Sequence, residues 1–548
     1  MRLTSIIVSD RMGERTMFRR KDPQGSLFEA SNLFAEDKRE RLLGSWAHAF
    51  RTQALPLIDE NHFRDLFCSD NGRPNKPVPI VVGALILKDM MDLTDAETLY
   101  RLDFDLGWHH ALGLQPEEAH CCQKTLHNFR VKLLAHERAP LLFRDMTDKI
   151  LAALGMNTDK QRLDSTHIVS NMAVLTRLGL FCETMRVFLR ELRRTLPEPW
   201  AGLPLGLRRR YLKDDGSDTG YDDAKTQEAR RRLAVCARDL WRLCQRFVGT
   251  GPAQLESYGL LQRLFSEQCE MTETPVTPAA DDADHEDEAV PVQVKEPRQV
   301  SADSLQSPHD PDATYGHKGK GYEVQVAETC GNGDKPEIIT YVDVTASAGS
   351  DATQTLPVVA ALAERKIQPK ELLADTTYGG TDNVITCAAQ GTELISPVAG
   401  PKVCAEAAGP VAAPADVVAA SVDVAETDGS LASTTPLPVV AAPTPAPATG
   451  AESLAETKAK VLQERRRYQA TAEFRERYAE RAGIEGTNSE LKRKHGLGKL
   501  RVRTGPRVRL AVFFKTLACN VKRLIGYVLD QVRAQPATAN SDATVALA

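Results

Sequence analysis

Residues 399–457 limit the possible folds more than any other part of this chain, because they are dominated by Ala, Pro, Val, Thr and Gly. A segment of this composition cannot bury enough large apolar surface to form a packed core. With 548 residues, the chain is also longer than one ordinary domain. We therefore interpret residues 399–457 as a low-complexity insertion that interrupts a domain built from the segments on either side.

The segment after this insertion is strongly basic. From Lys460 to Arg523 there are 6 Lys and 12 Arg against 6 Glu and no Asp, a net charge of +12, whereas the whole chain carries −5. A basic segment in an acidic chain is typical of a surface that binds the phosphates of a nucleic acid.

Four residues of the basic segment are spaced for one face of a helix. Tyr478 lies seven residues before Glu485, Arg481 lies four residues before it, and Lys492 lies seven residues after it. Steps of four and seven residues return to nearly the same side of an α-helix. We predict a helix from Tyr478 to Arg493 that presents a carboxylate flanked by cations. Such a face can bind a metal ion and phosphates, although a solvated helix with an ordinary Arg481–Glu485 pair explains the same spacing.

The N-terminal part of the chain has helical patterning. Residues 51–155 are predicted to form an all-α domain, with an apolar helix from Val78 to Met91 and a capping signal at Thr94. Short helices of this kind suit a DNA-binding or dimerising module, but a helical bundle with only a packing role fits equally well. Residues 1–50 are weakly patterned and are predicted to be an arm.

A strand is predicted at residues 161–169, where β-branched residues alternate. The charged, leucine-periodic residues 178–271 are interpreted as a helical insertion. Residues 272–300 are interpreted as an acidic linker, with a mimic of DNA phosphate as the alternative.

Shorter elements follow, and residues 529–548 are predicted to be a disordered tail. The predicted elements are strands at Tyr322–Glu328, Ile338–Val344, Glu371–Ala374 and Glu393–Pro397, and a helix at Ala352–Arg365.

Three carboxylates are candidates for metal-assisted phosphoryl transfer, which needs acidic side chains from separate elements. Asp164 lies in the first strand, Asp375 follows a strand and precedes a Gly-rich turn, and Glu485 lies on the basic helix. Turn formation is the alternative role for both aspartates. Asp312 is a rival carboxylate, but it lies in a turn-rich segment and ranks below Asp375.

The sequences around these residues resemble those of bacterial insertion-sequence DDE transposases. The matching strings are LDSTHI at Asp164, LLADTTYGGTDN at Asp375 and YAERAGIEGTNSELKRKHGLGKLRVR, which holds the family signature Tyr-x2-Arg-x3-Glu-x6-Lys. Residues 57–130 resemble the helical N-terminal domain of the same proteins. The resemblance implies an α/β ribonuclease-H-like catalytic core, a mixed sheet with flanking helices, over residues 156–528. An all-α N-terminal domain and the helical insertion complete the expected fold.

The resemblance also implies an activity. The chain is expected to cut DNA at the terminal inverted repeats of an insertion sequence and to join the 3′-OH ends to target DNA. Asp164, Asp375 and Glu485 would be the catalytic residues and would bind Mg²⁺ or Mn²⁺, with two ions in the site. The expected partners are double-stranded DNA and further copies of the chain, as a homodimer or higher oligomer.

The expected DNA-binding residues are the aromatic and basic side chains of the C-terminal segment: Tyr478, Arg481, Lys492, Arg493, Lys494, Lys499, Arg501 and Arg503. Tyr478 can stack on an unpaired base or pack onto the core. The spacing of two from Lys499 to Arg509 predicts an extended segment along a DNA backbone. Lys318 and Lys320 can approach DNA from a turn, whereas His167 is expected to be a packed side chain.

Three other functions remain open from the sequence. A nuclease of the same fold would cut without joining, and a catalytically decayed transposase would only bind DNA. A hydrolase of small phosphate esters explains the +12 segment poorly. The 11 Cys include no CxxC pair, and the longest apolar stretch, Val78–Leu87, is too short to span a membrane. A cytoplasmic location is therefore expected.

Overall fold

The computed structural model describes residues 18–21, 34–67, 75–115, 118–276, 289–400 and 449–534. Most of the expected arm, the acidic run 281–288, most of the Ala/Pro-rich insertion and the end of the expected tail lie outside these residues. Within the described ranges, no helix is both long enough and apolar enough to cross a membrane.

The N-terminal unit is helical, as the sequence predicts. Its helices are α1 Glu36–Leu43, α2 Trp46–Ala49, α3 Val78–Met90, α4 Asp95–Phe104, α5 Leu106–Leu112, α6 Gln123–Ala135 and α7 Arg138–Ala153. A π-helical turn (Phe50–Ala54) and two 3₁₀ segments (Leu55–Leu57 and Glu60–Leu66) connect α2 to α3. The predicted cap forms, because Thr94 accepts a hydrogen bond from the Glu97 amide while the Glu97 carboxylate accepts one from the Thr94 amide.

The first strand, β1 (Lys160–Ile168), leads into the predicted helical insertion. The insertion contains α8 Arg177–Thr195, α9 Pro197–Ala201, α10 Leu205–Tyr211, α11 Thr226–Phe247 and α12 Glu256–Gln268. These helices surround a hydrophobic core of their own that includes Phe181, Phe188 and Leu240. The insertion therefore has a core distinct from that of the central sheet.

The linker interpretation of residues 272–300 is wrong at both ends. Strands β2 (Cys269–Val276) and β3 (Val290–Val294) pair antiparallel. Val290 and Val292 are buried in the core of the insertion, and this burial of β-branched side chains favours the strand.

The central sheet is mixed. It contains β1 and the later strands β4 Thr314–Gly316, β5 Gly319–Thr329, β6 Ile339–Ala346, β7 Glu371–Ala374 and β8 Glu393–Ile395. The order is β6-β5-β1-β7-β8, and the short β4 pairs with the start of β5. Strand β5 is antiparallel to β1 and β6, whereas β1, β7 and β8 are parallel. Helix α13 (Thr355–Glu364) lies between β6 and β7 in the chain, and α14 (Thr381–Ala389) lies between β7 and β8.

The C-terminal region is helical and corrects several predicted boundaries. It contains α15 Thr449–Gln469, α16 Ala472–Ala479, a 3₁₀ turn Glu480–Ala482, α17 Gly483–Lys494 and α18 Gly505–Ala534. The helix predicted from Tyr478 to Arg493 is thus interrupted by the 3₁₀ turn. The insertion 399–457 ends in helix from Thr449 onward, and α18 extends into the segment predicted as a tail, since it ends at Ala534. Arg507 and Arg509 lie on α18 rather than on an extended segment.

Helix α18 joins the N-terminal helices to the sheet. Phe513 of α18 lies 5.8 Å from Phe143 of α7, measured between ring centroids. The Asn520 side chain accepts a hydrogen bond from the Ile339 amide of β6 at 2.9 Å and donates one to the Ile339 carbonyl at 2.8 Å. The same core buries Phe50 and Ala47, so the helical unit begins inside the segment expected to be an arm.

Candidate active site

Two of the three predicted carboxylates lie side by side where the pairing of the parallel strands β1 and β7 ends. Leu163 of β1 is paired in register with Ala374 of β7, so the next residues, Asp164 and Asp375, are neighbours across the sheet. Adjacent strands are about 4.8 Å apart. The Asp375 carboxylate also accepts a hydrogen bond from the Thr377 amide at 2.8 Å, which begins the turn toward α14.

The third carboxylate, that of Glu485, is linked to Asp164 by Arg481. Glu485 lies in the first turn of α17, and Arg481 lies in the 3₁₀ turn before it. Arg481 Nη2 is 2.9 Å from Asp164 Oδ1, and Arg481 Nη1 is 3.5 Å from Glu485 Oε1. Asp375 is also within electrostatic range of this guanidinium. Arg481 therefore offsets part of the negative charge of the three carboxylates.

Asn488 completes the surroundings of Asp164. Its Nδ2 atom donates to Asp164 Oδ2 at 3.0 Å, so both carboxylate oxygens have a partner from the α16–α17 segment. Asn488 follows Arg481 by seven residues, and this helical spacing is the signal that sequence reasoning missed.

Asp164 and Glu485 differ sharply in their environment. The side chain of Asp164 is 14% exposed and that of Glu485 is 70% exposed. Burial raises the pKa of the Asp164 carboxyl above its ordinary value, Arg481 lowers it, and Asp375 raises it further. Asp164 is thus a buried group held in place, whereas Glu485 has room to rotate.

The donor chemistry of the site fits a hard divalent cation, because three carboxylates supply only oxygen ligands. The side chains are not gathered as tightly as a bound ion would require. Among the described residues, a different set has its possible ligand atoms within 4.8 Å of one another: Glu490, His495 and Cys519.

Tyr478 packs against the core at the edge of the site. Its ring stacks on Phe474 with a centroid separation of 5.4 Å, next to a small cluster with Cys330, Leu373 and Ile395. Burial raises the pKa of the Tyr478 hydroxyl, which lies within electrostatic range of all three carboxylates. The ring is therefore engaged in packing, while its hydroxyl is at the site.

Lys492 is the basic residue of the signature that lies on α17. It is half-buried, and its neighbours include Lys318, Glu323 and Asp164. Burial lowers the pKa of the Lys492 ammonium, and Lys318 lowers it further. The ammonium groups of Lys492 and Lys318 thus both lie within electrostatic range of Asp164.

The other predicted DNA-binding residues divide into two groups. Arg501 is bound internally, since its guanidinium is 2.9 Å from Asp92 Oδ1 and also donates to the Asp92 and Leu93 carbonyls. Arg501 is nonetheless exposed, as are the remaining ones: Arg493, Lys494, Lys499 and Arg503.

A buried ionic network beneath the site was not visible in the sequence. Glu328 of β5 is fully buried, and its carboxylate accepts from Arg162 Nε at 2.7 Å, from Thr487 Oγ1 at 2.7 Å and from Arg523 Nη1 at 3.1 Å. Arg162 lies two residues before Asp164, and Thr487 lies two residues after Glu485. Glu328 therefore links the strand that carries Asp164 to the helix that carries Glu485.

A second hydrogen-bonded network fixes the loop after β7. Asp351 accepts from Ser165 Oγ and from Gln325 Nε2, each at 2.8 Å. The Tyr378 hydroxyl donates to Gln325 Oε1, and the Tyr378 ring is fully buried. These contacts connect the residue after Asp164 with the turn after Asp375.

Three other sequence candidates have local structural partners. His167 Nδ1 is 3.3 Å from Glu323 Oε1, so it is packed as expected. Asp312 accepts a hydrogen bond from the Gly505 amide at the start of α18, and Lys320 donates to the Leu175 carbonyl.

Comparison with known proteins identifies two matching families. The family described as "Transposase DDE domain" matches residues 291–521, which include Asp375 and Glu485. The family described as "Transposase domain (DUF772)" matches residues 45–132 of the helical N-terminal unit. Asp164 lies outside both ranges. Comparisons with curated proteins and with solved structures returned no match. The two matches together support an insertion-sequence DDE transposase.

Proposed function

We propose that this protein cuts DNA at the terminal inverted repeats of its insertion sequence and joins the 3′-OH ends to target DNA. The observation that carries the proposal is the position of Asp164 on β1 beside Asp375, which directly follows the neighbouring parallel strand β7, with Arg481 linking Asp164 to Glu485. The sheet order, with β5 antiparallel and β1, β7 and β8 parallel, supports a ribonuclease-H-like catalytic core.

Asp164, Asp375 and Glu485 are the residues that would hold Mg²⁺ or Mn²⁺, in a site for two ions. When bound, such ions stabilise the charge that develops on the attacking and leaving oxygens of a phosphodiester. Asp164 contributes a carboxylate that is oriented by Arg481 and Asn488. Glu485 is exposed and sits on the first turn of its helix, so rotation of its side chain can bring its oxygens toward the two aspartates.

The cations would position the DNA. Arg481 can donate to a phosphate oxygen once its carboxylate partners are otherwise engaged, and Lys492 with Lys318 offers a second phosphate site. These contacts follow the DNA backbone and carry no sequence information. Recognition of the terminal repeats is assigned to the N-terminal helices, and pairing of two DNA ends calls for at least a dimer.

The test is cleavage of a labelled duplex that carries the element's own ends, with Mg²⁺ and with EDTA. Wild type is expected to nick the ends only with the metal ion, and Asp164→Asn, Asp375→Asn and Glu485→Gln are expected to bind without cutting. Glu476→Gln is the matched control, because it removes an exposed carboxylate from α16. Normal cutting by all three site variants would refute the assignment.

A second assay separates transfer from hydrolysis. Pre-cut ends with a free 3′-OH are incubated with a target plasmid, and joined products are expected with wild type alone. Cutting without joining would instead identify a nuclease, and binding without cutting by wild type would identify a decayed transposase.

A further inference from the structure

We propose that Glu490, His495 and Cys519 form a zinc-binding site, separate from the Asp164, Asp375 and Glu485 site. Their ligand atoms all lie within 4.8 Å of one another. Glu490 lies on α17, His495 directly follows this helix, and Cys519 lies in the middle of α18. An ion at this point would bind α17 to α18.

His495 has the arrangement of a metal-binding histidine. The side chain is fully buried, and Nδ1 lies 3.0 Å from the Asp89 carbonyl oxygen. A carbonyl can only accept, so Nδ1 carries the proton and Nε2 presents a lone pair. Nε2 has no hydrogen-bond partner among the described residues, which is uncommon for a buried polar atom. A backbone carbonyl behind the other ring nitrogen is the usual support of a zinc-bound histidine.

Cys519 supplies the soft donor. Its thiol is fully buried and free, and burial raises the pKa of the thiol to about 12. The metal-free protein therefore holds a neutral thiol. Binding forms a sulfur–zinc bond, breaks the S–H bond and releases one proton to solvent. The thiolate and the Glu490 carboxylate together balance the charge of Zn²⁺.

The surrounding cations leave one oxygen of Glu490 accessible. Arg523 Nη2 is 3.2 Å from Glu490 Oε2, so this oxygen is held. Oε1 is 3.7 Å from Lys494, whose side chain is 62% exposed and can move away. Glu490 is partly exposed, so solvent can supply a fourth ligand on its side.

The donor set selects the metal. Nitrogen, sulfur and oxygen ligands suit Zn²⁺, whereas Mg²⁺ prefers oxygen ligands alone. Zinc bonds to nitrogen and sulfur are about 2.0–2.3 Å long, so the three side chains must close in slightly on binding. Glu490, the longest and most exposed of them, can make this adjustment.

The test uses the full-length, untagged protein and Co²⁺, which reports thiolate ligands by an intense near-ultraviolet absorption. Wild type is expected to show this absorption at one equivalent and to lose it when Zn²⁺ is added. Cys387→Ser, which removes another fully buried thiol, is expected to behave like wild type, and Cys519→Ser is expected to show no absorption. No absorption in wild type, or unchanged absorption in Cys519→Ser, would overturn the proposal.

A measurement without variants covers the case in which Cys519→Ser does not fold. X-ray absorption of the zinc-loaded wild type is expected to show one sulfur and one imidazole among the ligands. A shell of oxygen and nitrogen alone would contradict the site. Both experiments are independent of DNA cleavage, so they stand whatever the outcome for the proposed function.

Discussion

Arg481 donates a hydrogen bond to Asp164 across 317 sequence positions, with Nη2 2.9 Å from Oδ1. The contact joins the 3₁₀ turn before α17 to the middle of β1. Both side chains are largely buried, at 15% and 14% exposure, so the pair is poorly screened by solvent. The guanidinium therefore favours the charged form of the carboxylate that we assign to metal binding, against the burial that raises its pKa.

Replacing Arg481 is expected to shift the pH dependence of DNA cleavage. The pKa of Asp164 is already above its ordinary value, and Arg481 is the group that lowers it most. Removal of the guanidinium raises this pKa further, and protons then compete with the metal ion up to a higher pH. The acidic limb of the rate–pH profile of Arg481→Gln should therefore lie at higher pH than that of wild type, and more Mg²⁺ should be needed at low pH.

Arg475→Gln is the control for this experiment, because Arg475 is exposed on α16 and donates to the carbonyls of Ala470 and Thr471, just before this helix. Its acidic limb should coincide with that of wild type. An unchanged limb in Arg481→Gln would show that Arg481 does not govern the ionisation of Asp164.

Glu328→Gln is expected to destabilise the protein strongly. The substitution leaves the buried Arg162 and Arg523 guanidinium groups without their shared counter-charge, and breaking such a buried pair costs about 3–5 kcal/mol. Urea unfolding followed by circular dichroism measures the change in the free energy of unfolding. The exposed control Glu476→Gln should change it by less than about 0.5 kcal/mol, and a similarly small change for Glu328→Gln would contradict the role of the network.

Two glycines of α17 form a matched pair. A Cβ atom at Gly483 would lie 2.0 Å from the Arg162 Nη1 atom, whereas nothing lies within 4 Å of a Cβ atom at Gly486. Gly483→Ala must displace a guanidinium held by Glu328 and the Glu480 carbonyl, at about 1–3 kcal/mol. Gly486→Ala should instead stabilise the helix by about 0.5–1 kcal/mol. Equal thermal midpoints for the two variants would refute this packing.

Arg503 and Arg501 are expected to have different roles despite their similar position. Arg503 is exposed, and no partner for its guanidinium is found in the part of the chain that the structure describes. If it binds a phosphate, Arg503→Gln should weaken DNA binding and lower the slope of log affinity against log salt by about 1.

Arg501→Gln should mainly reduce stability, because Arg501 binds Asp92 and two carbonyls at the end of α3. Fluorescence anisotropy at several salt concentrations measures the slopes for both variants. Equal losses of affinity with equal slopes would show that Arg501 also contacts DNA.

The secondary structure was predictable where a pattern is local. The predicted strand Glu371–Ala374 has the observed bounds, because a short apolar run before a Gly-rich turn leaves few alternatives. The prediction of a linker at residues 272–300 was wrong, because β2 and β3 are stabilised by burial of Val290 and Val292 against a distant helical core. The 3₁₀ turn at Glu480–Ala482 also escaped prediction, since the Glu480 carbonyl accepts a hydrogen bond from Arg162 of β1.

By itself, the sequence determined the identities and spacing of Asp164, Asp375, Tyr478, Arg481, Glu485 and Lys492, and the basic character of the C-terminal segment. These are local properties that periodicity and charge express directly. Tertiary structure alone decided that Asp164 and Asp375 are neighbours, that Arg481 binds Asp164, and that Glu328 holds β1 to α17. The physical reason is that strand register and buried ion pairs depend on residues far apart in the chain, which no local pattern encodes.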